Sequence, residues 1–267
     1  MKKHQLLLGS LVILSIVTVH LTSVSAQGPK TQLAMLLDGS SSIMSDDFTI
    51  MLTGLADAIE NPDCVPQDGS VELTVIQFGS YTRTEVPPTM IDATNASSIA
   101  ATVRGITKMG GTTPMSGAIA LATAEITGSP NFGTAAKQVI NLSTDGAPNS
   151  KSDTEMARND AIAAGIDEID VEAVGYFPAV EWLRDRIVHP QPGTIHGPGY
   201  AHWPPTAPGW VRLVEDFDAY AATICGKFGV ILQPSAIPEA STLILLGSAA
   251  SGLAGYIGLQ LRARRRK

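Results

Sequence analysis

The sequence predicts a doubly wound α/β fold: a mostly parallel sheet with helices on both faces and one short antiparallel edge strand. Apolar runs of strand length alternate with segments whose apolar residues recur at helical spacing, the order that crossover helices between parallel strands produce. Two such runs, beginning at Leu33 and Val139, lead into an acid, Asp38 and Asp145. Between Gln27 and Ile237 lie roughly 210 residues, enough for one domain with a full core.

Leu33 to Leu37 predicts the first strand. Asp46 to Ile59 follows as a helix, with Phe48, Met51, Leu52, Leu55 and Ile59 on one face. Val71 to Phe78 is a strand, and Thr82 to Val86 a short edge strand after the turn at Gly79-Ser80. Helices are expected from Ala96 to Ile106 and from Pro114 to Ile126, where proline suits the first turn. Ala136 to Leu142 is the central apolar strand, Thr154 to Ala164 a helix and Ile169 to Val174 a further strand. Phe177 to Trp210 is rich in proline and glycine and least regular. Its His189, His196 and His202 match no zinc spacing and are read as part of a stiffened surface loop, with Trp182, Trp203 and Trp210 packing it down. Val211, Val214, Phe217, Tyr220 and Ile224 return to helical spacing and predict the closing helix.

Asp38-Gly39-Ser40-Ser41-Ser42 is the stretch with chemistry in it. A tight turn at Gly39 lets Asp38, Ser40 and Ser42 converge, and hard oxygen donors with one nearby carboxylate suit Mg2+. Taken alone, the same residues serve equally as a hydroxyl-rich N-cap for the first helix. In a parallel sheet the carboxyl ends of the strands share one edge, so Asp38 and Asp145 fall close together.

With Gly110-Gly111-Thr112-Thr113-Pro114 and Val139 to Gly146 added, the chain resembles a von Willebrand factor type A (vWA) domain with its metal-ion-dependent adhesion site (MIDAS). The resemblance implies a Rossmann-like fold and the metal ligands Asp38, Ser40, Ser42, Thr112 and Asp145. Thr113 competes with Thr112, which directly follows the glycine pair as the family's ligand does. The implied cofactor is Mg2+, with Mn2+ or Ca2+ as substitutes, and the implied partner is a protein presenting an Asp or Glu carboxylate to the ion. The implied activity is adhesion-type binding and not catalysis. Two other readings stay open: a surface-matrix protein whose metal only stabilises it, and a serine hydrolase, although Gly-x-Ser-x-Gly, a Walker loop and His-Glu-x-x-His are all missing.

The two ends carry addresses. Lys2-Lys3, the apolar run Leu6 to Val19 and Val24-Ser25-Ala26 read as a signal peptide over residues 1–26, ahead of a domain at 27–232. Residues 233–242 form a linker, 243–261 an apolar stretch long enough to span a bilayer, and 262–267 a basic cluster that stays cytoplasmic. This tail resembles the PEP-CTERM signal of exported bacterial proteins, with Pro238-Glu239-Ala240 standing where that family has Pro-Glu-Pro. The resemblance implies an exosortase-type processing enzyme, export across a bacterial inner membrane, and either a retained membrane anchor or release to the surface. Without these ends 11 basic residues face 24 acidic ones, a net charge of −13. Such a body favours cations and excludes nucleic acid, whose phosphates need clustered Lys and Arg. Cys64 and Cys225 are the only cysteines. In an oxidising compartment they are read as a disulfide, with two buried thiols as the alternative.

Overall fold

The structure, a computed structural model, describes residues 29–175 and 179–233. At its centre lies β1 (Thr31–Asp38), buried along its whole length. It pairs in parallel with β2 (Asp68–Phe78) on one side and β4 (Lys137–Thr144) on the other. With β3 (Thr82–Asp92), β5 (Glu168–Val174), β6 (Thr194–His196) and β7 (Trp210–Val214), they form a seven-stranded sheet in the order β3-β2-β1-β4-β5-β7-β6. The β2–β3 pair alone is antiparallel.

Helices α1 (Ser45–Glu60), α2 (Ala96–Arg104) and α6 (Phe217–Ile231) cover one face. On the other lie α3 (Met115–Gly128), α4 (Lys151–Ala163) and the short α5 (Val180–Trp182), which continues as a π-helical turn over Leu183–Ile187. Successive side chains of a strand point to opposite faces, so Leu33, Met35 and Leu37 enter the first core while Ala34 and Leu36 enter the second. That double burial is why β1 is an unbroken apolar run and not an alternating one. Cys64, just beyond α1, is bonded to Cys225 of α6, with 4.8 Å between their Cα atoms.

Several boundaries shift by two or three residues, α2 ending at Arg104 and α4 starting at Lys151, and the irregular region holds α5 and β6; two differences are larger. The predicted closing helix starts too early: Trp210–Val214 is a strand, and α6 begins at Phe217, where the Asp216 carboxylate accepts from Ala219 N at 2.7 Å as an N-cap. The residues Val211 and Val214 match helical spacing, but a slot between β5 and β6 claims them. The edge strand β3 runs on through Pro87-Pro88 to Asp92, because at a sheet edge a residue without an N–H forfeits no ladder bond on its solvent side. The predicted signal peptide (1–26), the Pro238-Glu239-Ala240 motif, the span at 243–261 and the basic tail lie outside the described residues. Among the described residues no helix is long and apolar enough to cross a membrane.

Candidate metal centre

Asp38 ends β1 at the carboxyl edge of the sheet and is fully buried. One carboxylate oxygen accepts from Ser40 N at 2.9 Å, closing the turn, and the other accepts from Thr144 Oγ1 at 2.6 Å, from the end of the neighbouring strand β4. Burial pushes the Asp38 carboxyl up to about 6, against the bonds from Thr144 and Ser40; the nearby charge of Asp145 adds to the rise. A Cβ at Gly39 would lie 2.3 Å from Gln77 Oε1, so a larger residue there displaces the Gln77 side chain.

Ser40 and Ser42 point the same way. Their hydroxyl oxygens are 2.9 Å apart, and Ser42 donates to Asp145 Oδ1 at 2.8 Å. With the Ser42 proton committed to Asp145, Ser40 is the donor in the pair. Four of the five predicted ligands therefore form two hydrogen-bonded units, Asp38 with its own turn and Ser40-Ser42-Asp145, linked through the Ser40 residue common to both.

Thr112 comes from the α2–α3 loop and makes no direct hydrogen bond to the other four; Asn149 Nδ2 donates to its hydroxyl at 2.9 Å. Its loop is nevertheless stitched to the Asp38 turn. Ser41 N donates to Gly111 O at 2.9 Å, Gly111 N to Ser41 Oγ at 2.8 Å, and Gly110 N to Gly39 O at 2.8 Å. Gly110 and Gly111 have φ of 70° and 84°, and a Cβ on Gly111 would lie 2.7 Å from the Ser80 backbone, so the pair lets the loop come this close. Thr113 is engaged through its backbone: its N–H donates to Asn149 Oδ1 and its carbonyl accepts from Asn149 N. Thr112 is thus the threonine of the pair whose hydroxyl is held by a neighbouring loop.

Thr144, Asn149 and Gln77 are supporting residues that the motif reading missed. Gln77 accepts from Met109 N at 2.8 Å and donates to Thr107 O at 3.0 Å, fixing the loop that carries Thr112. A polar residue at the very end of a buried strand, as Thr144 is, was the available signal. Of the loop histidines, His196 spends both ring nitrogens internally, 2.7 Å from His202 O and 3.0 Å from Thr194 Oγ1. Among the described residues no three His, Cys, Asp or Glu side chains gather as a metal cluster. The candidate donors at the sheet edge are the carboxylates of Asp38 and Asp145 and the hydroxyls of Ser40 and Ser42, with Thr112 on the loop bonded to Ser41. All are hard oxygen atoms, which fit Mg2+ or Mn2+ by donor type.

The family described as "Protein of unknown function (DUF1194)" matches residues 29–176, more than half of the chain. The chain belongs to DUF1194. No curated protein matches the sequence of this DUF1194 member. Among solved structures, proximal thread matrix protein 1 (PTMP1) of the mussel byssus superposes with a TM-score of 0.56 at 16% identity, over 77% of this chain and 48% of that one. The manganese-loaded TRAP protein of Plasmodium vivax gives 0.52 at 23% identity, over 74% and 73%. The pilus adhesin SpaC of Lactobacillus rhamnosus GG gives 0.56 at 14%, over 76% and 30%. The DUF1194 chain thus spans about half the length of the mussel protein and under a third of the adhesin. At these identities the likeness establishes the fold, which is that of vWA-domain proteins.

Proposed function

We propose that this protein is an exported, adhesion-type binding module whose divalent cation, Mg2+ in the first instance, is held by Asp38, Ser40, Ser42, Thr112 and Asp145 and accepts a carboxylate from a partner protein. The observation that carries this reading is the gathering of Asp38, Ser40, Ser42 and Asp145 at one sheet edge, with the Thr112 loop hydrogen-bonded to Ser41. The same fold holds metal in the zinc-occupied MIDAS motif of the mussel protein and in manganese-loaded TRAP, which supports the choice of site.

When bound, the ion supplies a Lewis-acidic charge to an incoming carboxylate. The chain's own residues prepare the place. Thr144 and the Ser40 N–H fix both oxygens of Asp38, and Asn149 orients Thr112. Three of the five side chains are uncharged, so the two acids balance a divalent ion without exceeding its charge, and a third carboxylate is drawn by direct coordination at an open position of the ion and not by net charge.

Export and tethering belong to the same proposal: residues 243–261 serve as a membrane helix, and an exosortase-type enzyme acts at Pro238-Glu239-Ala240. The hydropathy of the tail supports this, as does the Cys64–Cys225 bond, of a kind that persists in oxidising compartments. The test is calorimetric titration of the full chain with Mg2+ and Mn2+. Wild type is expected to bind and Asp38→Ala to lose at least about tenfold in affinity; equal affinity in the two proteins refutes the site. Pull-downs that recover the same proteins in Mg2+ and in EDTA would leave the metal a stabilising role only.

A further inference from the structure

The sheet face under α6 carries charge in the place of hydrocarbon. Glu168, Asp170 and Glu172 of β5 alternate onto that face, and all three are buried. Lys137 Nζ lies 2.5 Å from Glu168 Oε2 and donates to Ile231 O at 2.9 Å. Lys227 Nζ, on α6, lies 2.5 Å from Glu172 Oε2, while Arg212 stays 3.7 Å from Glu172 Oε1, too long for a direct hydrogen bond. Burial alone would lower the Lys227 ammonium, but the charge of Glu172 and the Tyr220 oxygen more than offset it and leave the group above its ordinary value.

In the midst of these ion pairs is Asn141 of β4, with no exposed surface and no partner for either amide atom. Asp170 stands beside it in register on β5. One Asp170 oxygen accepts from Gly209 N and Trp210 N, both at 3.0 Å, and no donor faces the other, whose carboxyl group has Glu168 as its polar neighbour; the Trp210 indole N–H has no acceptor. Each unmatched buried polar group costs about 1–3 kcal/mol, so four such atoms from three adjacent strands call for a common explanation.

We propose that Asn141, Asp170 and Trp210 line an internal hydration site beneath α6, in which water bridges their polar atoms and reaches Glu172 Oε1. The chemistry of the lining selects water. It offers two donors, Asn141 Nδ2 and Trp210 Nε1, alongside the acceptors Asn141 Oδ1, Asp170 Oδ2 and Glu172 Oε1. Two waters, each donating and accepting and each making about three such bonds, satisfy all five. A metal cation would face two N–H groups, and an anion would face carboxylate oxygens. Glu168 and Glu172 already stand against Lys137, Lys227 and Arg212, while burial, followed by the charge of Glu168, pushes Asp170 well above the usual carboxylate range, so that it adds no third negative charge. A cation therefore gains nothing at this place.

The near-isosteric variant Asn141→Leu decides by sign. If water occupies the site, leucine expels it and leaves Asp170 and Trp210 unmatched, and the full chain melts about 5 °C or more below wild type. If the amide is a dry, tolerated orphan, leucine removes two unmatched atoms and melting rises, which overturns the proposal. Should the variant not fold, a high-resolution electron-density map of the wild-type chain gives the answer. A water peak within about 3.2 Å of Asn141 and Asp170 Oδ2 supports the site; a direct Asn141–Asp170 bond or a dry gap refutes it. Melting of wild type in sodium, potassium and ammonium chloride is expected to coincide, and an ion-specific shift would make the guest a cation and overturn the assignment.

Discussion

The buried carboxyl of Asp38 makes a quantitative prediction about the metal-free protein. Its pKa rises from an ordinary 3.8 to about 6 in the folded state. The folded chain therefore keeps a proton that the unfolded chain has released, and the resulting stability is complete below about 3.8 and lost as the pH climbs through about 6. A shift of this size is worth about 3 kcal/mol at roughly 1.4 kcal/mol per unit. Other carboxylates titrate over the same range, so the measurement is a difference: urea unfolding of wild type and Asp38→Asn, in EDTA, from pH 7.5 down to 4. Wild type should gain about 2.5 kcal/mol on the asparagine variant over that interval, most of the full shift. With saturating Mg2+ the order reverses at pH 7.5, because the ion favours the ionised carboxylate and lends its binding energy to wild type. A difference that does not vary with pH in EDTA would show that Asp38 is not held in a desolvated place, and the argument for a preformed cation site would fall with it.

Thr144→Val keeps the shape of the side chain but removes the hydroxyl that holds Asp38 Oδ2 at 2.6 Å; titration should show Mg2+ affinity down by about tenfold, as when other residues that orient metal ligands are altered. Replacing both Cys64 and Cys225 by alanine releases a connection spanning 161 residues, and unfolding free energy should fall by about 5 kcal/mol on the chain-entropy argument; no measurable change would mean that the denatured chain is not constrained by the bond. Lys227→Met leaves Glu172 buried without its nearest cation and should cost roughly 3–5 kcal/mol in urea unfolding, with most of the loss recovered when Glu172→Leu is added.

The gathering of Asp38, Ser40, Ser42 and Asp145 was legible because these residues lie in short stretches whose pattern changes abruptly, from aliphatic residues to Asp38 and three serines. Its support was not legible in the same way. Thr144 and Asn149 act across 106 and 37 residues of sequence, and their partners become known only when β1 and β4 lie side by side. The strand β5 illustrates the converse. Glu168, Asp170 and Glu172 alternate with apolar residues as in a half-exposed strand, yet all are buried, because Lys137, Arg212 and Lys227 reach them from β4, β7 and α6. Likewise Trp210–Val214 is too short for its own periodicity to separate strand from helix, and pairing with β5 and β6 decides it.

The bond from Lys137 to Ile231 fixes the end of α6 at the start of β4, while Thr144, at the other end of that strand, touches Asp38. Seven residue steps at about 3.3 Å separate these two poles by roughly 23 Å. Lys30, whose N–H meets Ser70 O, enters at the same pole from which α6 departs. The described domain is therefore polarised: the chain enters and leaves it at the base, and the Asp38 rim lies at the opposite pole.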